Sequence, residues 1–133
     1  MGTQVAMQRK IRILLAEDDA AMREYLARAL EKSDYEVVAV EDGMDAIPHL
    51  TEKSFDLLLT DIVMPGMDGI ELAQKCAALS PKTEVMFITG FSGVRLKAGA
   101  EMPKAKILSK PFHLRELVME VDRLFFPERL GSL

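Results

Sequence analysis

Five residues of this 133-residue chain carry groups that could work on one reactant: Glu17, Asp18, Asp61, Thr89 and Lys110. Each follows a short apolar run: Leu14-Leu15-Ala16, Leu57-Leu58-Leu59, Met86-Phe87-Ile88 and Ile107-Leu108. Three carboxylates brought together repel one another unless a cation intervenes. Oxygen-only donors favour Mg²⁺, a hard ion that keeps several waters and works with phosphate. Glu17, Asp18 and Asp61 supply −3, and one Mg²⁺ with the Lys110 ammonium supplies +3. Such a site is balanced at rest and ready for a phosphoryl group. Asp61 could then act as a carboxylate nucleophile and form an acyl phosphate. Mg²⁺ and Lys110 would stabilise charge on the transferring oxygens, where most catalysis of phosphoryl transfer lies. The Thr89 hydroxyl would hydrogen-bond the attached group.

Each residue also has a plainer role. An Asp pair after a strand often caps a helix, and Asp61 before Pro65-Gly66 could simply open a turn. Thr89 could bond only its own backbone, and Lys110-Pro111-Phe112 could be only a turn. The chemistry therefore depends on elements that bring the five together.

The apolar run ending at Asp61 has the length of a strand buried on both faces of a sheet. Residues 11–16, 35–40, 83–88 and 105–109 read as four more strands. Helices are expected from Ala20 to Lys32, Met44 to Lys53, Asp68 to Leu79 and over the last apolar stripe, Leu114 to Phe125. Met22, Leu26, Ala29 and Leu30 fall on one face of the first. Asp19 is placed to cap it, and Asp68 to cap the third with Glu71 three positions on. Pro48 predicts that the second helix starts late or bends near its beginning. Gly93, Gly99 and Pro103 leave room for one short or irregular fourth helix. Strand and helix thus alternate five times, which implies an α/β fold: a doubly wound parallel sheet with helices on both faces. Ligands bind such sheets at the C-terminal strand ends, where the five residues stand.

The length suits one domain: an extension over residues 1–9, the domain proper at 10–126, and a tail at 127–133. The net charge of −4 gives no sign of general nucleic-acid affinity. A lone cysteine, Cys76, fits a reducing cytosol and reads as a buried hydrophobe. No apolar run reaches membrane-spanning length and no signal peptide is visible, so a cytoplasmic protein is expected. His49 and His113 have no partners at metal-ligand spacing.

Leu15-Ala16-Glu17-Asp18-Asp19, Thr60-Asp61-Ile62-Val63-Met64-Pro65-Gly66-Met67-Asp68-Gly69, Ile88-Thr89-Gly90 and Ser109-Lys110-Pro111-Phe112 resemble the signatures of response-regulator receiver domains. Four motifs in order over residues 10 to 126 make the resemblance specific. It implies a CheY-like sheet of order 2-1-3-4-5, with Asp61 as phosphoacceptor. Mg²⁺ would be held by Asp18, Asp61 and the backbone carbonyl of Val63, with Glu17 acting mainly through water. Thr89 would be the switch hydroxyl and Lys110 the family's lysine, joined to Pro111 by a cis peptide bond. The implied protein catalyses only its own phosphorylation and dephosphorylation. Its donor would be a histidine phosphotransferase or histidine kinase. It would act as a monomer or a phosphorylation-dependent dimer.

Ile107 departs from the pattern, because that position is commonly aromatic in the family. Nothing after the last helix reads as an effector domain. Thr89-Gly90-Phe91 and the short region after it resemble CpdR-type single-domain regulators of alphaproteobacteria. That likeness implies control of ClpXP proteolysis, with the unphosphorylated form promoting degradation. A CheY- or DivK-like regulator of a kinase or motor partner is the alternative output. An aspartyl-phosphate phosphohydrolase is a third reading, weakened because Val63 stands where the second Asp of such enzymes belongs. The fourth is an adaptor with a vestigial acidic pocket. Residues 90–106 carry a net +3, which leaves −7 for the rest of a chain totalling −4. A solvated loop explains this patch; a face for an acidic partner is the sharper reading.

Overall fold

The structure is a computed structural model that describes residues 10–90, 92–110 and 112–128. The expected extension over 1–9, residue Phe91, most of the tail and the cis bond at Lys110–Pro111 lie outside the described residues.

Five strands and five helices alternate: β1 (Arg12–Ala16), α1 (Ala20–Lys32), β2 (Glu36–Val40), α2 (Gly43–Glu52), β3 (Leu57–Asp61), α3 (Gly69–Leu79), β4 (Glu84–Thr89), α4 (Ser92–Glu101), β5 (Lys106–Ser109) and α5 (Leu114–Phe125). The strands form one parallel sheet in the order β2-β1-β3-β4-β5. This is the order the resemblance implies: β3, at the centre, is buried at every position, whereas the edge strands β2 and β5 are only partly covered.

Alternation along β1 divides the core. Ile13 and Leu15 join Leu57, Leu59, Met86 and Ile88 against α1 and α5. Leu14 and Ala16 pack on the other face with Ala46, Leu50, Leu72 and Cys76. A smaller cluster of Ile62, Ile70, Ala73, Phe87 and Ala98 lies beneath α3 and α4. Cys76 is fully buried, and burial pushes its thiol up to about 11, so it is chemically quiet. No helix among the described residues is long and apolar enough to cross a membrane.

The expected caps form: Asp19 accepts from the Met22 N–H at 2.9 Å and Asp68 from the Glu71 N–H at 2.8 Å. Helix α2 does not start late. It begins at Gly43 because Asp42 caps it, accepting from the Asp45 N–H at 2.9 Å. Pro48 is carried inside the helix, where it can donate no bond to the preceding turn. Gly66 takes a φ of +75° in the turn after β3, a conformation glycine adopts without strain. Helix α4 spans ten residues and, with α2, is the shortest of the five. His49 is half-buried with its ring edge-on to Phe55.

Candidate functional site

The strand ends converge. Glu17 directly follows β1, where its N–H donates to the Val40 carbonyl at 3.1 Å. Asp61 is the last residue of β3, and Lys110 directly follows β5. Carboxylate oxygens of Glu17, Asp18 and Asp61 all lie within 4.8 Å of one another. The Lys110 Nζ reaches Asp61 Oδ2 at 3.1 Å and Glu17 Oε1 at 3.2 Å. Glu17 and Asp61 are buried and Asp18 is exposed, so the cluster opens to solvent on one side.

The register explains why Lys110 arrives there. Thr89 pairs with Ser109 across β4 and β5, and the next N–H, that of Lys110, donates to the Thr89 carbonyl at 2.7 Å. Thr89 itself is buried at the end of β4. Val63 stands in the loop after β3, half exposed, and its N–H donates to Asp61 Oδ1 at 3.3 Å. All five candidate side chains therefore stand at the C-terminal edge of the sheet, together with the Val63 backbone.

The electrostatics are unbalanced without a further cation: three carboxylates face one ammonium. Burial raises the Glu17 carboxyl to about 7, and the neighbouring Asp61 charge adds to the rise. The Asp19 N–H, which donates to Glu17 Oε2 at 3.2 Å, and Lys110 only partly offset it. For Lys110 burial alone would lower the ammonium, but Asp61 and Glu17 outweigh it and the net shift is upward. Lys110 thus stays charged. An all-oxygen donor set with an uncompensated negative balance fits a hard divalent cation such as Mg²⁺.

Three supporting residues were not legible as such from sequence. Arg23, one turn into α1, donates from Nη1 to the Glu17 carbonyl at 2.8 Å and so holds the acidic loop against its helix. The Thr60 hydroxyl donates to the Asp61 carbonyl at 2.8 Å. Gly69 opens α3 hard against the same carbonyl: a Cβ there would sit 2.1 Å from the Asp61 oxygen, and its N–H donates to Ile62 at 2.8 Å. Thr60 and Gly69 stand at the two ends of the motif around Asp61, and Gly69 follows a capping Asp, but neither contact could be read from that; Arg23 offered no signal.

The CheY-like order and the acidic cluster at the strand ends define the class. The description "Response regulator receiver domain" matches residues 13–122, and the chain belongs to that family. It is 54% identical over 114 residues to the response regulator receiver protein CpdR of Brucella abortus (strain 2308), spanning 85% of this chain and 95% of that one. Among solved structures it resembles the receiver domain of the hybrid histidine kinase CckA, with 34% identity, a TM-score of 0.71, and 84% and 96% of the two chains covered. A CheY-like receiver from Methanospirillum hungatei JF-1 superposes with a TM-score of 0.82 at 25% identity, covering 92% and 99%.

Proposed function

We propose that this receiver accepts a phosphoryl group on Asp61 from a histidine phosphotransferase or histidine kinase. The observation that carries the reading is the joint contact of Lys110 with Asp61 and Glu17 beside Asp18, at the edge of the sheet. An Asp61 oxygen attacks phosphorus as the donor's phosphorus–nitrogen bond breaks, and the imidazole departs with the electron pair. Lys110, held charged, moves its ammonium from the Asp61 carboxylate toward the oxygens of the arriving group. Receiver domains bind Mg²⁺ through acidic residues, and here Glu17, Asp18, Asp61 and the Val63 carbonyl would hold it. When bound it supplies positive charge to the phosphoryl oxygens. The Thr89 hydroxyl, at the neighbouring strand end, hydrogen-bonds the attached group.

The resemblance to CpdR supports an output through ClpXP proteolysis, with the unphosphorylated protein as the promoting form. Binding of purified ClpX to the wild type, to the acetyl-phosphate-treated protein and to Asp61→Ala tests this reading. Wild type and Asp61→Ala should bind, and phosphorylation should release the wild type alone. Equal binding of the phosphorylated form would leave the receiver chemistry standing and remove the proposed output.

A further inference from the structure

Asp18 is the exposed member of the acidic cluster, and no donor among the described residues holds its carboxylate. Its place therefore comes from the backbone on either side. Glu17 is anchored to β2 through the Val40 carbonyl, and Asp19 to α1 through its cap on the Met22 N–H. Three hydrogen bonds then close a ring spanning Asp18. The Asp19 N–H donates to Glu17 Oε2 at 3.2 Å, and the Arg23 N–H to the Asp19 carbonyl at 2.8 Å. Arg23 Nη1 completes the ring on the Glu17 carbonyl at 2.8 Å. Backbone donors supply the first two bonds, but the third needs a long side chain bearing N–H groups at position 23.

Arg23 gives that bond to a neutral carbonyl although two carboxylates share its cleft. With Glu41, Asp45 and His49 it lines a cleft of about 460 Å³ between α1, the end of β2 and α2. Among the described residues Arg23 makes no ion pair with either acid. The half-buried guanidinium is thus committed to the loop and not to the surface charges. A charge-assisted bond is roughly twice as strong as a neutral one, strong enough to decide where a short loop rests.

We propose that Arg23 is a positioning residue for divalent-cation binding, a role that rests on the Mg²⁺ site proposed above. By fixing the Glu17 carbonyl it keeps the Asp18 carboxylate close to that of Asp61. Position and charge act in opposite directions here. By Coulomb's law alone, removing a cation near three carboxylates strengthens Mg²⁺ binding. A loosened Asp18 weakens it, because the ligand must then be ordered as the metal binds.

The test is titration calorimetry of the unphosphorylated chain with MgCl₂ alone, under conditions where circular dichroism shows each variant folded. Arg23→Met keeps helix propensity while removing both donor and charge. It should weaken Mg²⁺ binding by about tenfold or more, the usual scale for groups that orient metal ligands from behind. Arg23→Gln is titrated beside it with the same direction expected, so that one ill-folded variant does not decide the outcome. Arg23→Lys should recover part of the loss, since the contact is a single bond from Nη1. Arg28→Met removes the same charge from an exposed pair with Glu24 further along α1, and should bind Mg²⁺ as the wild type does. Labelling of Arg23→Met by acetyl phosphate should need correspondingly more Mg²⁺, yet reach the wild-type extent at saturation. The proposal is overturned if the Arg23 variants bind Mg²⁺ as tightly as the wild type or more tightly, whatever their melting temperatures. That result would leave the metal site standing; a wild type that binds no Mg²⁺ would remove the site and this role together.

Discussion

Two helical glycines mark two regions built on opposite terms. Gly69 opens α3 against the end of β3, where any side chain would collide with the Asp61 carbonyl. Gly99 lies in α4, where a side chain would meet nothing. Around the first, Leu57, Leu58, Leu59, Ile62, Ile70 and Leu72 are all essentially buried. Around the second, Ala98 is fully buried, Val94 and Met102 are half covered, and Leu96 points outward. The lesson concerns where a receiver can tolerate change. Asp61, proposed as the nucleophile, needs its backbone fixed to a fraction of an ångström, and a close-packed strand end provides that. Helix α4 is thinly anchored, so its outer face can change without disturbing that strand end.

The contrast is sharpest in leucines. Leu59→Ala, in the middle of the central strand, should cost about 3 kcal/mol in urea unfolding. Leu96→Ala should change stability by less than about 0.5 kcal/mol. Comparable losses at both positions would erase the distinction.

The glycines should then move in opposite directions. Gly99→Ala should stabilise by about 0.5–1 kcal/mol through helix propensity. Gly69→Ala gains the same propensity but forces the Asp61 carbonyl aside, for a net loss of about 2 kcal/mol. It should also weaken Mg²⁺ binding where folded protein remains, because Asp61 and Val63 move together. Calorimetry of both variants checks the pair.

A smaller effect comes from pH. The Glu17 carboxyl is raised from 4.5 to about 7, so the folded protein holds this proton more tightly than the unfolded chain. Metal-free stability should therefore be highest at low pH in this respect, and should fall as pH rises from 4.5 to about 7. Cation binding has the opposite sign, since it requires the carboxylate. Mg²⁺ affinity by titration calorimetry should weaken about tenfold from pH 8 to pH 6, with proton uptake into buffer, and Glu17→Gln should flatten that dependence.

Legibility in the sequence followed the same division. The run ending at Asp61 was readable because a strand buried on both faces leaves an unbroken apolar stretch. The caps Asp19 and Asp68 were readable because capping is local. Helix α4 was not, because among its described side chains only Ala98 is fully buried and Val94 half covered, which leaves little periodicity to detect. Helix α2 begins one residue before the expected Met44, because the Asp42 cap sets its first turn and Pro48 does not delay it. Arg23, Thr60 and Gly69 act through contacts made only once strand ends and helix starts meet, and no spacing in the chain encodes those distances. Ile107 was readable as a departure. It packs half-buried with Phe87 and Ala98, so no ring stands there to report on Thr89.

The central claim is that Asp61 receives the phosphoryl group, and mass spectrometry after incubation with acetyl phosphate and Mg²⁺ tests it most directly. The wild type should gain one phosphoryl group that is labile to hydroxylamine, and Asp61→Asn should gain none while keeping its fold. Equal labelling of Asp61→Asn would contradict the assignment.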